Sequence, residues 1–252
     1  MADLGTPDAR RERLARVSEE IRACRACALH EGTRQAVPGE GNPDAEILLI
    51  GEAPGQNEDL QGRPFVGASG QFLTEMLRQN GLRREDVFIA NVVKHRPPNN
   101  RDPLPGEIEA CSSFLSRQIE AIDPLVIITL GRFSLARFFP GEKISVIHGQ
   151  PRTIGGRTVI PLYHPAAALH QGALRKVLEA DFAKVPAIVD VARRAADRPV
   201  PPSAPPRAPE PVQQAFMLLQ DMGDRPVSDG VESSTTLPDA TTPRPARQLP
   251  LL

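Results

Sequence analysis

The chain has 252 residues and 27.3 kDa, with 40% apolar and 24% charged residues and a formal charge of −1. That composition is ordinary for a soluble globular protein with one sizeable domain or two small ones; it excludes a peptide-scale scaffold and a membrane span, and it has no basic excess to announce a nucleic-acid binder. The opening residues, MADLGTPDARRERLARVSEE, carry no apolar run after their basic positions, so no secretory signal is expected and an intracellular, reducing, cytoplasmic setting is.

Leu14, Val17, Ile21 and Cys24 recur at helical spacing and predict a first helix. Ile47 to Ile50 reads as a buried strand, stopped by Gly51-Glu52-Ala53-Pro54-Gly55. Phe72, Leu73, Met76 and Leu77 mark a helix that Gly81 terminates. Val87 to Asn91 is a second strand, followed by a helix carrying Ile108, Leu115, Ile119 and Ile122. Leu125 to Leu130 is a third strand and Val159 to Leu162 a fourth, whose Pro161 predicts an edge or a bulge. One last helix is expected over roughly Ala173 to Ala196. Strand and helix in alternation predict an α/β fold with a mainly parallel, four-stranded central sheet.

The composition changes at Pro199. Residues 199–252 hold 12 prolines and few apolar groups, and four arginines against six carboxylates, so they cannot bury enough surface to offset the entropy of ordering. The expected division is a folded domain over 1–198 and a Pro-rich tail. A short helix near 212–220, centred on Val212 to Leu219, is either transient or a docking motif for a partner protein.

In open parallel sheets ligands bind beyond the carboxyl ends of the strands. Glu52 follows the first strand, Asn91 ends the second and His164 follows the fourth, so the three are expected to converge. The turn GEAPGQNED, Gly51 to Asp59, can bring backbone N–H groups near a ligand, or be only a tight turn beside a solvated acid run. Phe65, in GRPFVG, is either a core plug or a stacking platform for a flat ligand. The amide of Asn91 offers a donor and an acceptor together, and Lys94, Arg96 and Arg101 are compatible with phosphate contacts or with a solvated loop. Cys24 and Cys27 form a C-x2-C pair, and Cys111 lies far downstream. Three thiolates need a fourth metal ligand, for which His95, 16 residues before Cys111, is the best candidate; a Cys3His zinc site satisfies the same set, and three unrelated thiols remain an alternative.

Taken together, GEAPGQNED, GRPFVG, NVVKHRPPNNR and HPAAAL, in this order and spacing, resemble the bacterial and archaeal uracil-DNA glycosylases of family 4 over roughly Arg22 to Val185. The resemblance implies a three-layer α/β/α sandwich and hydrolysis of the bond between uracil and deoxyribose in DNA, the opening step of base-excision repair. It implies that Glu52 positions water and stabilises the sugar cation, and that His164 stabilises the departing uracil anion. Phe65 then stacks on the everted base, Asn91 reads its edge beside Gly51, and Leu169 and Arg175 belong to the segment that enters the DNA stack. The family holds a [4Fe–4S] cluster on four cysteines. Here the position of the third is His95, so the implied ligands are Cys24, Cys27, His95 and Cys111, with structural zinc as the alternative. A related branch that traps uracil-DNA covalently also carries VKH, with a nucleophilic histidine in an added basic loop; PPNNRDPLPGEIEAC has none, so turnover is expected. The expected partners are uracil-containing DNA and, through the tail, a protein; the chain is expected to be a monomer. The competing readings are a non-catalytic DNA-binding or DNA-polymerase-associated module of the same fold, and a zinc-stabilised hydrolase of unrelated substrate.

Overall fold

A computed structural model of the chain describes residues 6–196. The tail from Pro199, with its candidate helix at 212–220, lies outside the described residues. Thr6 caps the first helix, α1 (Pro7–Arg22), by accepting from the Ala9 N–H, and Leu14, Val17 and Ile21 form its buried stripe. Cys24 falls just beyond the helix. There follow β1 (Glu40–Gly41), β2 (Ile47–Gly51), α2 (Gln56–Gln61), α3 (Ala68–Gln79), β3 (Phe88–Asn91), α4 (Pro105–Ile122) and β4 (Val126–Leu130). The chain continues through α5 (Arg132–Ala136), α6 (Ile144–Ile147), β5 (Arg152–Ile154), β6 (Arg157–Leu162), α7 (Pro165–His170), α8 (Gly172–Phe182) and α9 (Val185–Ala196). Among the described residues no helix is long and apolar enough to cross a membrane.

The sheet order is β1-β3-β2-β4-β6-β5. The four inner strands are parallel, as predicted, and β1 and β5 add antiparallel edges that bring the sheet to six strands rather than four. Ile47 and Leu49 pack on one face with α3, α8 and α9; Leu48 and Ile50 pack on the other with α1 and α4. Burial on both faces is why the inner strands read as unbroken apolar runs, and it makes the molecule a three-layer α/β/α sandwich.

Two details differ from the expectation. β6 is an inner strand despite Pro161. The N–H of Thr158 donates to the Leu125 carbonyl, just before β4, so Pro161, three residues on, turns its nitrogen to the β5 side, beyond the last β5 pair at Arg152↔Val159, where no ladder bond is lost. The long C-terminal helix is two, α8 and α9, because Pro186 cannot continue the first and is tolerated in the first turn of the second.

Candidate active site

The strand ends do bring the predicted residues to one place. Glu52, Phe65, Asn91 and His164 line a single cavity of about 300 Å³, together with Gly55 and Glu58, at the carboxyl edge of the sheet. That volume is at the lower end for pockets that take a compact organic ligand, roughly 300–1,000 Å³.

The floor is set by the β2–β3 ladder. Its last strand pair is Gly51↔Asn91, and the pairing is prolonged by Val92 N–H to the Gly51 carbonyl (3.0 Å) and Val93 N–H to the Glu52 carbonyl (3.1 Å). Glu52 and Asn91 are thereby held to each other through the backbone. Only glycine fits at position 51: a Cβ there would stand 2.4 Å from Asn91 Oδ1 and 2.6 Å from the Phe65 ring.

Phe65 holds a left-handed backbone with φ of 51°, a conformation that stores about 1–3 kcal/mol in a non-glycine residue unless its surroundings enforce it. They do. Gly70 lies so close that a Cβ would reach 1.9 Å from the Phe65 carbonyl oxygen, and the Val66 and Gly67 N–H groups donate to Glu58 Oε1 at 2.8 and 2.9 Å. The other oxygen of Glu58 accepts from Gly55 N–H at 3.1 Å. One buried carboxylate therefore ties the loop after Glu52 to the loop after Phe65. Sequence reasoning passed over Glu58, and its place three residues after Gly55, in the first turn of α2, was the signal available.

His164 is the N-cap of α7. Its Nδ1 accepts from Ala166 N–H at 3.1 Å, and Pro165 fills the first helical position, which leaves Nε2 as the protonated nitrogen of the neutral ring. Burial holds the imidazole neutral, lowering its pKa to about 4 against a smaller opposing effect of Glu58. The ring lies 5.6 Å from that of Phe65, tilted 31°. In the same cavity, burial raises the pKa of Glu52, Asp102 adds to the rise and Arg132 opposes it; Asp102 and Arg132 are themselves ion-paired. The pocket thus combines a carboxylate, a neutral donor, a ring face and an amide.

That amide is the most telling group. Asn91 is 2% exposed, and its Oδ1 is buried with no hydrogen-bond partner in the protein. An uncompensated buried acceptor costs about 1–3 kcal/mol, which a ligand donor would recover.

Of the other predicted positions, Arg101 lines the same cavity, whereas Leu169 and Arg175 do not. Leu169, on α7, is exposed, and Arg175, on α8, stacks over Phe72 at 4.6 Å and pairs with Glu179 at 2.9 Å. Of the three basic residues considered for phosphate contact, Lys94 is buried in the core and Arg101 is paired in bidentate fashion with Glu107. Arg96 is half-buried, with its Nε on Asn100, and Arg101 is the more exposed of the two.

Cys111 is buried on α4, with half-buried Cys27 packed against the same core cluster, and Cys24 is half-buried. Burial pushes the Cys111 thiol up, the Lys94 charge and backbone N–H oppose this, and the neighbouring Cys27 and Cys24 add to the rise. His95 is buried, but the charged groups that bear on it are His30 and Asp59 rather than the thiols. Among the described residues no three or more His, Cys, Asp or Glu side chains stand in an arrangement that could hold a metal ion, so the four-donor set is not assembled and no chemistry below is routed through it.

A pocket built to grip one flat, hydrogen-bonding ring between an acid and a neutral donor belongs to a base-processing enzyme. Residues 38–184 match the family described as Uracil DNA glycosylase superfamily. The type-4 uracil-DNA glycosylase of Saccharolobus solfataricus is 52% identical over 179 residues, 67% of this chain and 83% of the relative. That of Thermotoga maritima is 47% identical over 185 residues, 71% of this chain and 96% of the relative. A DNA polymerase of Bacillus phage SP01 is 32% identical over 144 residues, 57% of this chain but only 16% of the polymerase. The chain belongs to the uracil DNA glycosylase superfamily, on its type-4 branch.

Proposed function

We infer that this chain is a uracil-DNA glycosylase, which takes uracil out of the DNA stack and hydrolyses its N-glycosidic bond. The observation that carries the reading is the orphaned acceptor of Asn91, set beside Phe65 and above Gly51 in a cavity that also holds Glu52 and His164. A stacked base cannot present its glycosidic bond to water, so it is everted at a cost of a few kcal/mol. Once in the pocket it stacks on Phe65 and lies over Gly51, where Asn91 accepts from its imide N–H and donates to a ring carbonyl. As the bond breaks, positive charge grows on the sugar and negative charge on the base. The Glu52 carboxylate stabilises the first and orients water, and the Nε2–H of His164 donates to the second. Leu169, 41% exposed on the helix that His164 opens, supports a role in filling the space the base leaves; Arg175 would have to leave Glu179 to reach a phosphate.

The test is release of free uracil from a uracil-containing oligonucleotide by the full-length protein. The wild-type chain is expected to turn over, and Asn91→Ala to lose about 10–200-fold in kcat/KM, the scale of one or two lost hydrogen bonds to a substrate. Activity unchanged in Asn91→Ala overturns the base-reading role.

We further propose that Cys24, Cys27 and Cys111 hold a [4Fe–4S] cluster with His95 as fourth ligand, as histidine serves iron in Rieske centres, with zinc on the same residues as the alternative. The C-x2-C spacing of Cys24 and Cys27, both of which act electrostatically on Cys111, supports it. Iron, acid-labile sulfide and zinc measured on the same preparation decide the metal. His95→Cys is expected to retain iron and His95→Ala to lose most of it; equal iron in both variants and wild type removes His95 from the ligand set.

A further inference from the structure

We propose that Lys94 and Gln118, neither of which lines the cavity, form a strut that fixes Asn91 in its base-reading position. The inference rests on the assignment of Asn91 as the reader of the base.

Lys94 and Gln118 are both 0% exposed. A lysine in a core is tolerated only when its donors are taken. Here Nζ donates to the backbone carbonyl of Asn91 and to Gln118 Oε1, both at 2.7 Å, and Gln118 Nε2 donates to the Pro38 carbonyl at 2.6 Å. The result is one continuous chain of bonds from the end of β3, through the interior, to α4 and the segment leading into β1.

The reason for this arrangement is in the sequence. The β1–β3 register pairs Gly41 with Phe88 and Glu40 with Ile89; carried two residues further it sets Pro38 opposite Asn91. A residue with an N–H at position 38 could donate to the Asn91 carbonyl and continue the ladder. Proline has none. Lys94 Nζ supplies the missing donor, and Gln118 both orients Lys94 and satisfies the Pro38 carbonyl. The β2 side of β3 is held by backbone pairing; on the β1 side the Asn91 carbonyl accepts from Lys94 Nζ, which Gln118 holds, and backbone bonding resumes only at the Val37 N–H to Lys94 carbonyl bond (2.7 Å). The amide of Asn91 stands where a Cβ on Gly51 would be 2.4 Å from it, so a shift of a few tenths of an ångström at this strand end is felt at once in the pocket.

The strut is tested on the full-length chain with Gln118→Leu, which removes both of its bonds, and Gln118→Glu, which keeps the acceptor for Lys94. Single-turnover release of uracil and inhibition by free uracil are measured for each, alone and combined with Asn91→Ala. Gln118→Leu is expected to weaken free-uracil inhibition and kcat/KM about tenfold, Gln118→Glu to recover most of the loss, and both effects to shrink to less than twofold when Asn91 is already alanine. Equal losses with and without Asn91 overturn the strut, because a merely structural role adds to the Asn91 defect. So does wild-type behaviour of Gln118→Leu beside a severe Asn91→Ala. An Asn91→Ala enzyme with unchanged uracil inhibition overturns the base-reading assignment itself. Should Gln118→Leu fail to fold, Lys94→Met with and without Asn91→Ala gives the same comparison.

Discussion

His164→Ser is expected to lower kcat for uracil release by about 10²–10³-fold, the usual effect of deleting one preorganised donor to a developing anion. Serine is chosen because its hydroxyl can still accept from Ala166 N–H and cap α7, so the change isolates the Nε2 donor. The sign of the charge matters. With its pKa lowered to about 4, the imidazole is neutral at pH 7 and donates without carrying a positive charge that would attract the Glu52 carboxylate or repel the sugar cation. No rate change is expected from His164 between pH 5 and 8, the range in which an ordinary histidine titrates. Single-turnover rates over that range check both points; a serine variant within threefold of wild type ends the assignment.

Glu52→Gln is expected to cost about 10²–10⁴-fold in kcat, since the amide neither stabilises a cation nor polarises water comparably. Wild-type activity depends on the ionised carboxylate, and burial with Asp102 nearby raises its pKa. Activity should therefore be full above that raised pKa and fall as pH drops through it, with the acid limb above the ordinary glutamate value of about 4.3. Asp102→Asn removes one cause of the rise and frees Arg132, so it should move the limb to lower pH. A limb that stays in place, or persists in Glu52→Gln, assigns it to another group.

The four parallel strands were legible because burial on both faces leaves solid runs such as Ile47 to Ile50 and Leu125 to Leu130. The edge strands were not. β1 is two residues, Glu40 and Gly41, after Gly39, with no apolar run to announce it. β5 did leave a trace: Gly155 and Gly156, both with positive φ, form the two-residue turn of a hairpin into β6. Pro186 likewise marked the break between α8 and α9, although the apolar period runs through it. Convergence of Glu52, Asn91 and His164 followed from strand polarity alone. The positions of Lys94 and Arg101 did not, because whether a basic side chain faces solvent, a carboxylate or a buried carbonyl is settled by partners such as Gln118 and Glu107, distant or unremarkable in the sequence.

The bonds that Glu58 makes to both pocket loops have a thermodynamic corollary. With its two walls fastened to each other in advance, the cleft need not rearrange around an arriving nucleobase, and little ordering entropy is left to lose at that moment. Discrimination among bases then falls to the rigid outline of the cleft, and the slow part of the encounter shifts outward, to bending the helix and unstacking its nucleotide.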